Sequence, residues 1–327
     1  MLQVKASRET WKIQGTFRIS RGARSAAEVI LLSLVTEGAT GVGESVPYAR
    51  YGESVESVMG QIEELRPELE AGRLDRETLQ EALPPGAARN AIDCALWDLE
   101  AKRRRKRVWQ LAGLPPPRPV VSAYTLSLDS VEAMAAAAAA NAKRPLLKLK
   151  LTGPEDLKRV EAVRAAAPEA RLIVDANEGW TLEIYRELVP RLARLGVVMI
   201  EQPLHAEEDE ALMGEARPVA LCADEACHDR STLAGLKGRY DMVNIKLDKS
   251  GGLTEALALK VEAERLGFSI MVGCMLGTSL AMAPATLLAQ GAEIVDLDGP
   301  LLLAEDRHPS LTFKGSLLYP PKPALWG

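Results

Sequence analysis

The feature that most constrains this chain is a set of eight short apolar runs between residues 120 and 298, separated by Ala-, Leu-, Glu- and Arg-rich stretches of helical character. The runs are VVSAYTL, LLKLKL, RLIVDA, VVMIE, VALCADE, DMVNIKL, SIMVGCM and EIVDLD. Strands that are apolar on both faces, with a helix between each pair, pair in parallel. Eight of them predict a closed α/β barrel rather than an open sheet. An open sheet would also want a glycine-rich phosphate turn after its first strand. The only approach to one, GVGESV at 41–46, lacks the third glycine and is read as a turn. Ala135–Ala140 fits the first barrel helix, because Ala is the best helix former.

The region ahead of the barrel has a different pattern. Alternation in EVILLSLVTE predicts a small antiparallel sheet, and residues 54–112 are helical, with Ile92, Ala95, Leu96 and Leu99 on one face. The proline-rich GLPPPRP at 113–119 ends that segment and marks a domain boundary.

Composition removes several function classes. A net charge of −5 argues against nucleic acid as partner, and the basic run KRRRKR at 102–107 is read as a solvated helix end. No apolar run reaches the roughly 18 residues of a membrane span, and the N-terminus lacks a signal-peptide pattern, so a cytoplasmic protein without membrane contact is expected. Cys94, Cys222, Cys227 and Cys274 form no CxxC pair and are read as buried free thiols. His205, His228 and His308 offer little material for a histidine metal site or a serine triad.

Polar residues recur at the ends of the apolar runs. Lys150, Asp175, Glu201, Asp224 and Lys246 are separated by 25, 26, 23 and 22 residues, one strand and helix each time. The C-terminal strand ends form the active face of such barrels. Three carboxylates on consecutive strands make a hard oxygen site suited to Mg2+, with Mn2+ as a substitute; without a cation they would repel one another. Lys150 on the second strand and Lys246 on the sixth lie half a turn apart. A substrate carboxylate held at the metal would expose its α-carbon to one amine on each face, so one lysine can remove a proton and the other return it from the opposite side. That is racemase or epimerase chemistry. Lys148, two residues before Lys150 on one strand, points into the same pocket.

KLK at 148–150, DANEGW from 175, EQPL from 201, ADE ending at Glu225 and NIKLDKSGG from 244 together resemble the enolase superfamily, in its muconate-lactonizing-enzyme subgroup, over nearly the whole chain. The resemblance implies a modified TIM barrel, (β/α)7β, over residues 116–300. An α+β capping domain would span 1–115, and a C-terminal segment, 301–327, would return to it. It also implies Asp175, Glu201 and Asp224 as magnesium ligands, Lys150 and Lys246 as the acid/base pair acting through a metal-stabilised enediolate, and Glu225 and Asp248 as supports behind the ligands. Asp296 and Asp298 of DLDG would point the same way on strand eight, where two anions suit a cationic group. This pair resembles the DxD signature with which dipeptide epimerases hold the substrate's α-ammonium.

Arg24, in the loop SRGARSAAE at 20–28, matches the position from which family members acting on L-Ala-D/L-Glu reach the glutamate side chain, and Tyr51, Thr125, Lys148, Cys274 and Met275 are expected to complete the pocket. The implied function is a dipeptide epimerase inverting the α-carbon of the C-terminal residue. L-Ala-D/L-Glu is the expected substrate and recycling of murein peptides the expected role. Other dipeptides, N-acylamino-acid racemisation, o-succinylbenzoate synthesis and muconate cycloisomerisation stand as alternatives, and a homo-oligomer is left open.

Overall fold

A computed structural model describes residues 2–327. The N-terminal alternation builds an antiparallel sheet of β1 (Gln3–Ile19), β2 (Gly22–Thr36) and β3 (Ala39–Ser45). Val4, Ile30, Leu32 and Leu34 lie on its buried face. They pack with Val58, Ile62, Leu79 and Ile92 from helices α1 (Val55–Glu70), α2 (Arg76–Ala82) and α3 (Ala87–Arg104). Ser54 starts α1 with a reciprocal cap, its hydroxyl accepting the Ser57 N–H at 3.1 Å while its own N–H donates to the Ser57 hydroxyl at 2.9 Å.

Two expectations about this domain are corrected. GVGESV is not a turn but most of β3, in register with β2 from Ile30↔Ser45 to Thr36↔Ala39. Its glycines answer to packing: α3 lies so close that a side chain at Gly41 or Gly43 would collide with the carbonyl oxygens of Ala95 and Ala91. SRGARSAAE is not an open loop but the tip and rising strand of a hairpin. The turn is at Ser20–Arg21, and Arg24 sits on β2 opposite Phe17.

After α4 (Val108–Leu111) the run VVSAYTL, expected as one strand, divides. Val120–Val121 form β4, and Tyr124–Leu126 form β5 of the barrel. Ser122 is the switch point. Its N–H donates to Ser316 O at 2.8 Å, and the next, of Ala123, donates to Val295 O at 2.8 Å. The parallel strands that follow are β6 (Leu146–Lys150), β7 (Arg171–Asp175), β8 (Val197–Glu201), β9 (Ala220–Ala223), β10 (Met242–Ile245), β11 (Ser269–Val272) and β12 (Ile294–Val295), each paired with its neighbours in chain order. The Ala123–Val295 hydrogen bond brings the last strand round to the first.

Helices α5 (Val131–Ala140), α6 (Asp156–Ala166), α7 (Leu182–Arg194), α8 (Leu233–Leu236), α9 (Leu247–Ser250), α10 (Leu253–Arg265) and α11 (Ser279–Leu288) connect the strands; a short 3-10 turn at Asp209–Leu212 serves after β8. Beyond α12 (Gly299–Leu302), β13 (Phe313–Lys314) pairs with β14 (Leu317–Leu318), which pairs in turn with β4. The chain then comes back to α3, where Trp326 Nε1 donates to Cys94 O at 3.0 Å and the Gly327 N–H to Asp98 Oδ1 at 2.8 Å.

Ala123, Leu146, Ile173, Met199, Cys222, Met242, Met271 and Ile294, one from each barrel strand or beside it, form a closed apolar floor. The four cysteines are free thiols, Cys274 the least buried. Among the described residues no helix is long and apolar enough to cross a membrane.

Candidate active site

The floor fixes the site, because strand residues two apart share a face. Two residues on from it come Thr125, Lys148, Asp175, Glu201, Asp224, Asn244 and Asp296, all buried. Two further on are Lys150, Lys246 and Asp298. Above them is a cavity of about 460 Å3, closed from the capping domain by residues including Phe17, Ile19, Arg24 and Tyr51. Thr125, Lys148, Lys150, Asp224, Lys246, Cys274, Met275, Asp296 and Asp298 line it, as do Arg24 and Tyr51. Asp175 and Glu201 lie behind the lysines.

The wall is a lattice of alternating charges. Lys150 Nζ donates to Asp175 Oδ2 at 2.6 Å and Lys246 Nζ to Asp224 Oδ2 at 2.7 Å. Lys148 is the hub, its Nζ 2.8 Å from Asp296 Oδ2, 2.7 Å from Glu201 Oε2 and 3.1 Å from Asp175 Oδ2. Burial would push the Lys246 ammonium towards its neutral form, but the charges of Asp224 and Glu201 outweigh it and hold the proton on. Burial likewise opposes ionisation of Asp175, and the ammonium groups of Lys150 and Lys148 override it, keeping that carboxyl below the usual range. Glu201 goes the other way: burial and the Asp175 charge raise it to about 7.

The donor set fits a hard divalent cation. Asp175, Glu201 and Asp224 offer only carboxylate oxygens, all buried, and among the described residues Glu201 Oε2 accepts no well-aligned hydrogen bond, although Lys148 Nζ lies 2.7 Å away. Among the described residues these carboxylates do not close on one point as they stand; Lys148 Nζ lies between Asp175 Oδ2 and Glu201 Oε2, and Lys246 Nζ against Asp224 Oδ2. Supporting bonds orient them: Asn244 Nδ2 donates to Glu201 Oε1 at 2.7 Å, the Asn177 N–H to Asp175 Oδ1 at 2.9 Å, and Lys249 Nζ to Asp224 Oδ1 at 2.6 Å. Asn177, at φ 45°, turns the chain sharply after β7 to bring its N–H back.

Asp296 and Asp298 lie just past β12 on the same side. The Thr125 N–H donates to Asp298 Oδ2 at 2.6 Å, while Asp296 Oδ1 is buried without a partner among the described residues. Burial and the Asp296 charge raise Asp298 to about 7. Across the cavity, Arg24 stacks over the Tyr48 ring at 5.3 Å, and no carboxylate among the described residues pairs with it. Tyr51 packs edge-on against His228, and burial with the nearby Asp224 charge keeps its phenol protonated. Burial and the charges of Asp296 and Asp298 push the Cys274 thiol up, leaving it a neutral wall group.

The expected role of Asp248 is corrected: it accepts from the Val46 N–H at 2.9 Å and Asn90 Nδ2 at 2.8 Å, tying the capping domain to the barrel rather than supporting a ligand. Glu225 reaches Asp175 only through Asn177, whose Nδ2 is 3.4 Å away, and accepts Arg21 Nη2 at 2.6 Å. Sequence reasoning missed Lys249, Asn244, Arg21, Arg50 and Glu178. The same two-residue step that finds Asp175 from Ile173 would have found Asn244 from Met242.

Residues 130–309 match the enolase C-terminal domain-like model, and residues 1–113 match the mandelate racemase / muconate lactonizing enzyme N-terminal domain. The chain is 50% identical to an L-Ala-D/L-Glu epimerase of Escherichia coli (strain K12) over 96% of this chain and 98% of that one. It is 47% identical to an N-acetyl-D-glutamate racemase of a Pseudoalteromonas species, over 88% of this chain and 91% of that one. In structure it resembles an enolase family member from Agrobacterium tumefaciens with homology to dipeptide epimerases, crystallised with sodium and L-Ala-L-Glu, at TM-score 0.98, 55% identity and full coverage of both chains. A dipeptide epimerase from Enterococcus faecalis V583, complexed with Mg and L-Leu-L-Tyr, superposes at TM-score 0.90, 28% identity, covering 98% of this chain and 97% of that one.

Proposed function

This chain belongs to the mandelate racemase / muconate lactonizing enzyme family of the enolase superfamily, and from that premise we propose that it is a dipeptide epimerase inverting the α-carbon of a C-terminal glutamate. The observation that carries the proposal is the placement of Lys150 and Lys246 at the ends of the second and sixth of eight strands, facing one cavity whose walls hold an acidic pair and an arginine, Arg24, with no carboxylate partner among the described residues. An ammonium group suits Asp296 and Asp298, and a side-chain carboxylate suits Arg24. L-Ala-D/L-Glu carries both.

Asp175, Glu201 and Asp224 would hold magnesium, with manganese as a substitute of similar oxygen preference. The bound cation would supply positive charge at the substrate carboxylate, lowering the cost of removing the α-proton and compensating the carboxylate charge that now keeps Lys246 protonated. Lys150 and Lys246 then share the work. One, neutral, takes the α-proton from its face; the other, as ammonium, delivers a proton to the opposite face, and the direction of inversion decides which is which. Lys148, fixed by three carboxylates, keeps a positive charge beside the substrate carboxylate. The same site serves recycling of murein peptides in the cytoplasm.

The relative named N-acetyl-D-glutamate racemase favours a second reading, in which an acylated amine takes the place of the dipeptide. Incubating the purified protein and magnesium with L-Ala-L-Glu, L-Ala-D-Glu and N-acetyl-L-glutamate separately, then resolving the stereoisomers by chromatography, tests both. The dipeptide assignment requires the two diastereomers to converge on one mixture. Conversion of N-acetylglutamate alone would favour the second reading.

A further inference from the structure

The capping domain brings three arginines to the cavity, Arg21, Arg24 and Arg50, yet an acidic side chain needs one at a defined place. Glu178 decides which is available. Its side chain is only 3% exposed, and Arg50 binds it with a fork, Nε at 2.8 Å from Oε2 and Nη2 at 2.7 Å from Oε1. Arg21 Nη1 lies 3.1 Å from the same Oε2 and donates to Asn177 O at 2.8 Å. The Ala206 N–H also donates to the Glu178 carboxylate at 2.9 Å, and His205 Nε2 lies 3.9 Å from its Oε1. Arg21 is further held by Glu225 Oε1 at 2.6 Å, and its Nη2 donates to the Tyr48 hydroxyl at 3.2 Å. The ring of that tyrosine is the surface over which Arg24 lies.

We propose that Glu178 is a specificity-determining positioning residue: by engaging Arg21 and Arg50, and by seating Arg24 through Arg21 and Tyr48, it leaves a single guanidinium free for the substrate's side-chain carboxylate. A fork-bound arginine has few donors left for a ligand, so the pocket presents one cation at one distance from the α-carbon. Glu178 can do this because of its backbone. Its φ of 66° and the donation of its N–H to Gln202 O at 2.9 Å place the side chain beneath the capping loops. The hairpin tip is fastened to the same turn by the Ser20 hydroxyl, 2.8 Å from Asn177 O. The inference rests on Arg24 binding the acidic side chain, and it adds the residue that makes Arg24 the one to do so.

The test compares kcat/KM for L-Ala-L-Glu and L-Ala-L-Asp, whose carboxylates differ in reach by one methylene, in wild type, Glu178→Gln, Arg50→Met, Glu178→Gln/Arg50→Met and Arg24→Met. Glu178→Gln frees Arg50 and loosens Arg24, so the preference for Glu over Asp falls about tenfold, the equivalent of one charge-assisted hydrogen bond losing its register. Adding Arg50→Met removes the freed cation and restores part of the preference. Arg50→Met alone leaves Glu178 to Arg21 and keeps the preference. An unchanged Glu/Asp ratio in folded Glu178→Gln would overturn the proposal, as would a lower ratio in the double variant than in Glu178→Gln, which would make Glu178 a structural tie only. If Glu178→Gln does not fold, loss of the preference in Arg50→Met overturns it instead. Arg24→Met separates the two layers: a Glu preference that survives it refutes the Arg24 assignment itself, whatever Glu178 does.

Discussion

Replacing Asp298 with Asn separates recognition of an ammonium group from the other tasks of the site. Asp298 Oδ2 accepts the Thr125 N–H at 2.6 Å, a bond that an asparagine carbonyl can keep, so the local backbone is preserved. What is lost is one negative charge from a buried pair whose other member, Asp296, already gives Oδ2 to Lys148 at 2.8 Å. A hydrogen bond to a charged partner contributes about 1.5–3 kcal/mol, so kcat/KM for L-Ala-L-Glu should fall roughly 10- to 150-fold. N-acetyl-L-glutamate presents an amide and no ammonium, so its kcat/KM, or its inhibition constant if it is not turned over, should stay within about threefold. The sign of the pH dependence follows from Asp298 lying at about 7: the carboxylate is charged above that value, so KM for L-Ala-L-Glu should fall as pH rises through it. The variant should lose that dependence. Equal losses for both compounds, or no loss for the dipeptide, would refute the assignment of the acidic pair to the substrate amine.

Lys150→Met and Lys246→Met should each abolish epimerisation, with kcat down about 100- to 10,000-fold, while each variant still exchanges the α-proton of one diastereomer only, as read by proton NMR. Lys249→Met breaks a buried pair with Asp224 that measures 2.6 Å. Such a loss costs about 3–5 kcal/mol, which over 327 residues lowers Tm by roughly 4–7 °C in calorimetry; a shift under about 1 °C would contradict the role of Lys249. Burial raises Asp93 to about 6, so the folded state holds its proton more tightly than the unfolded one. That contribution to stability is complete below about pH 4 and is lost as pH rises through 6, and Asp93→Asn should therefore gain about 3 kcal/mol relative to wild type between pH 4 and 7 in denaturant titrations.

Much of the barrel was legible because a parallel strand buried on both faces leaves a run of apolar residues, and a repeat of strand and helix returns each polar strand end to the same rim. Lys150, Asp175, Glu201, Asp224 and Lys246 are found by that spacing alone. The capping domain was less legible because its signals were contradictory. Gly41 and Gly43 suggest a turn, yet they are glycines because α3 presses on the strand, a contact about 50 residues away in sequence. Val120–Val121 and Tyr124–Leu126 look like one strand, and only pairing with residues 317–318 and 147–149 divides them. Asp248 misled for the same reason: its partners, Val46 and Asn90, lie in another domain. Lys249 follows that position in a motif whose acid drew the attention, and only the fold shows it reaching back to Asp224.

The two-lysine assignment is tested most directly by isotope exchange. L-Ala-L-Glu is incubated with the protein and magnesium in deuterium oxide, and the glutamate α-position of substrate and product is followed by proton NMR from the first turnovers. Two bases on opposite faces predict that L-Ala-D-Glu appears carrying deuterium at the α-carbon while unreacted L-Ala-L-Glu initially keeps its proton. Inversion with the original proton retained in the product, or no exchange at all in protein that binds magnesium, would contradict it.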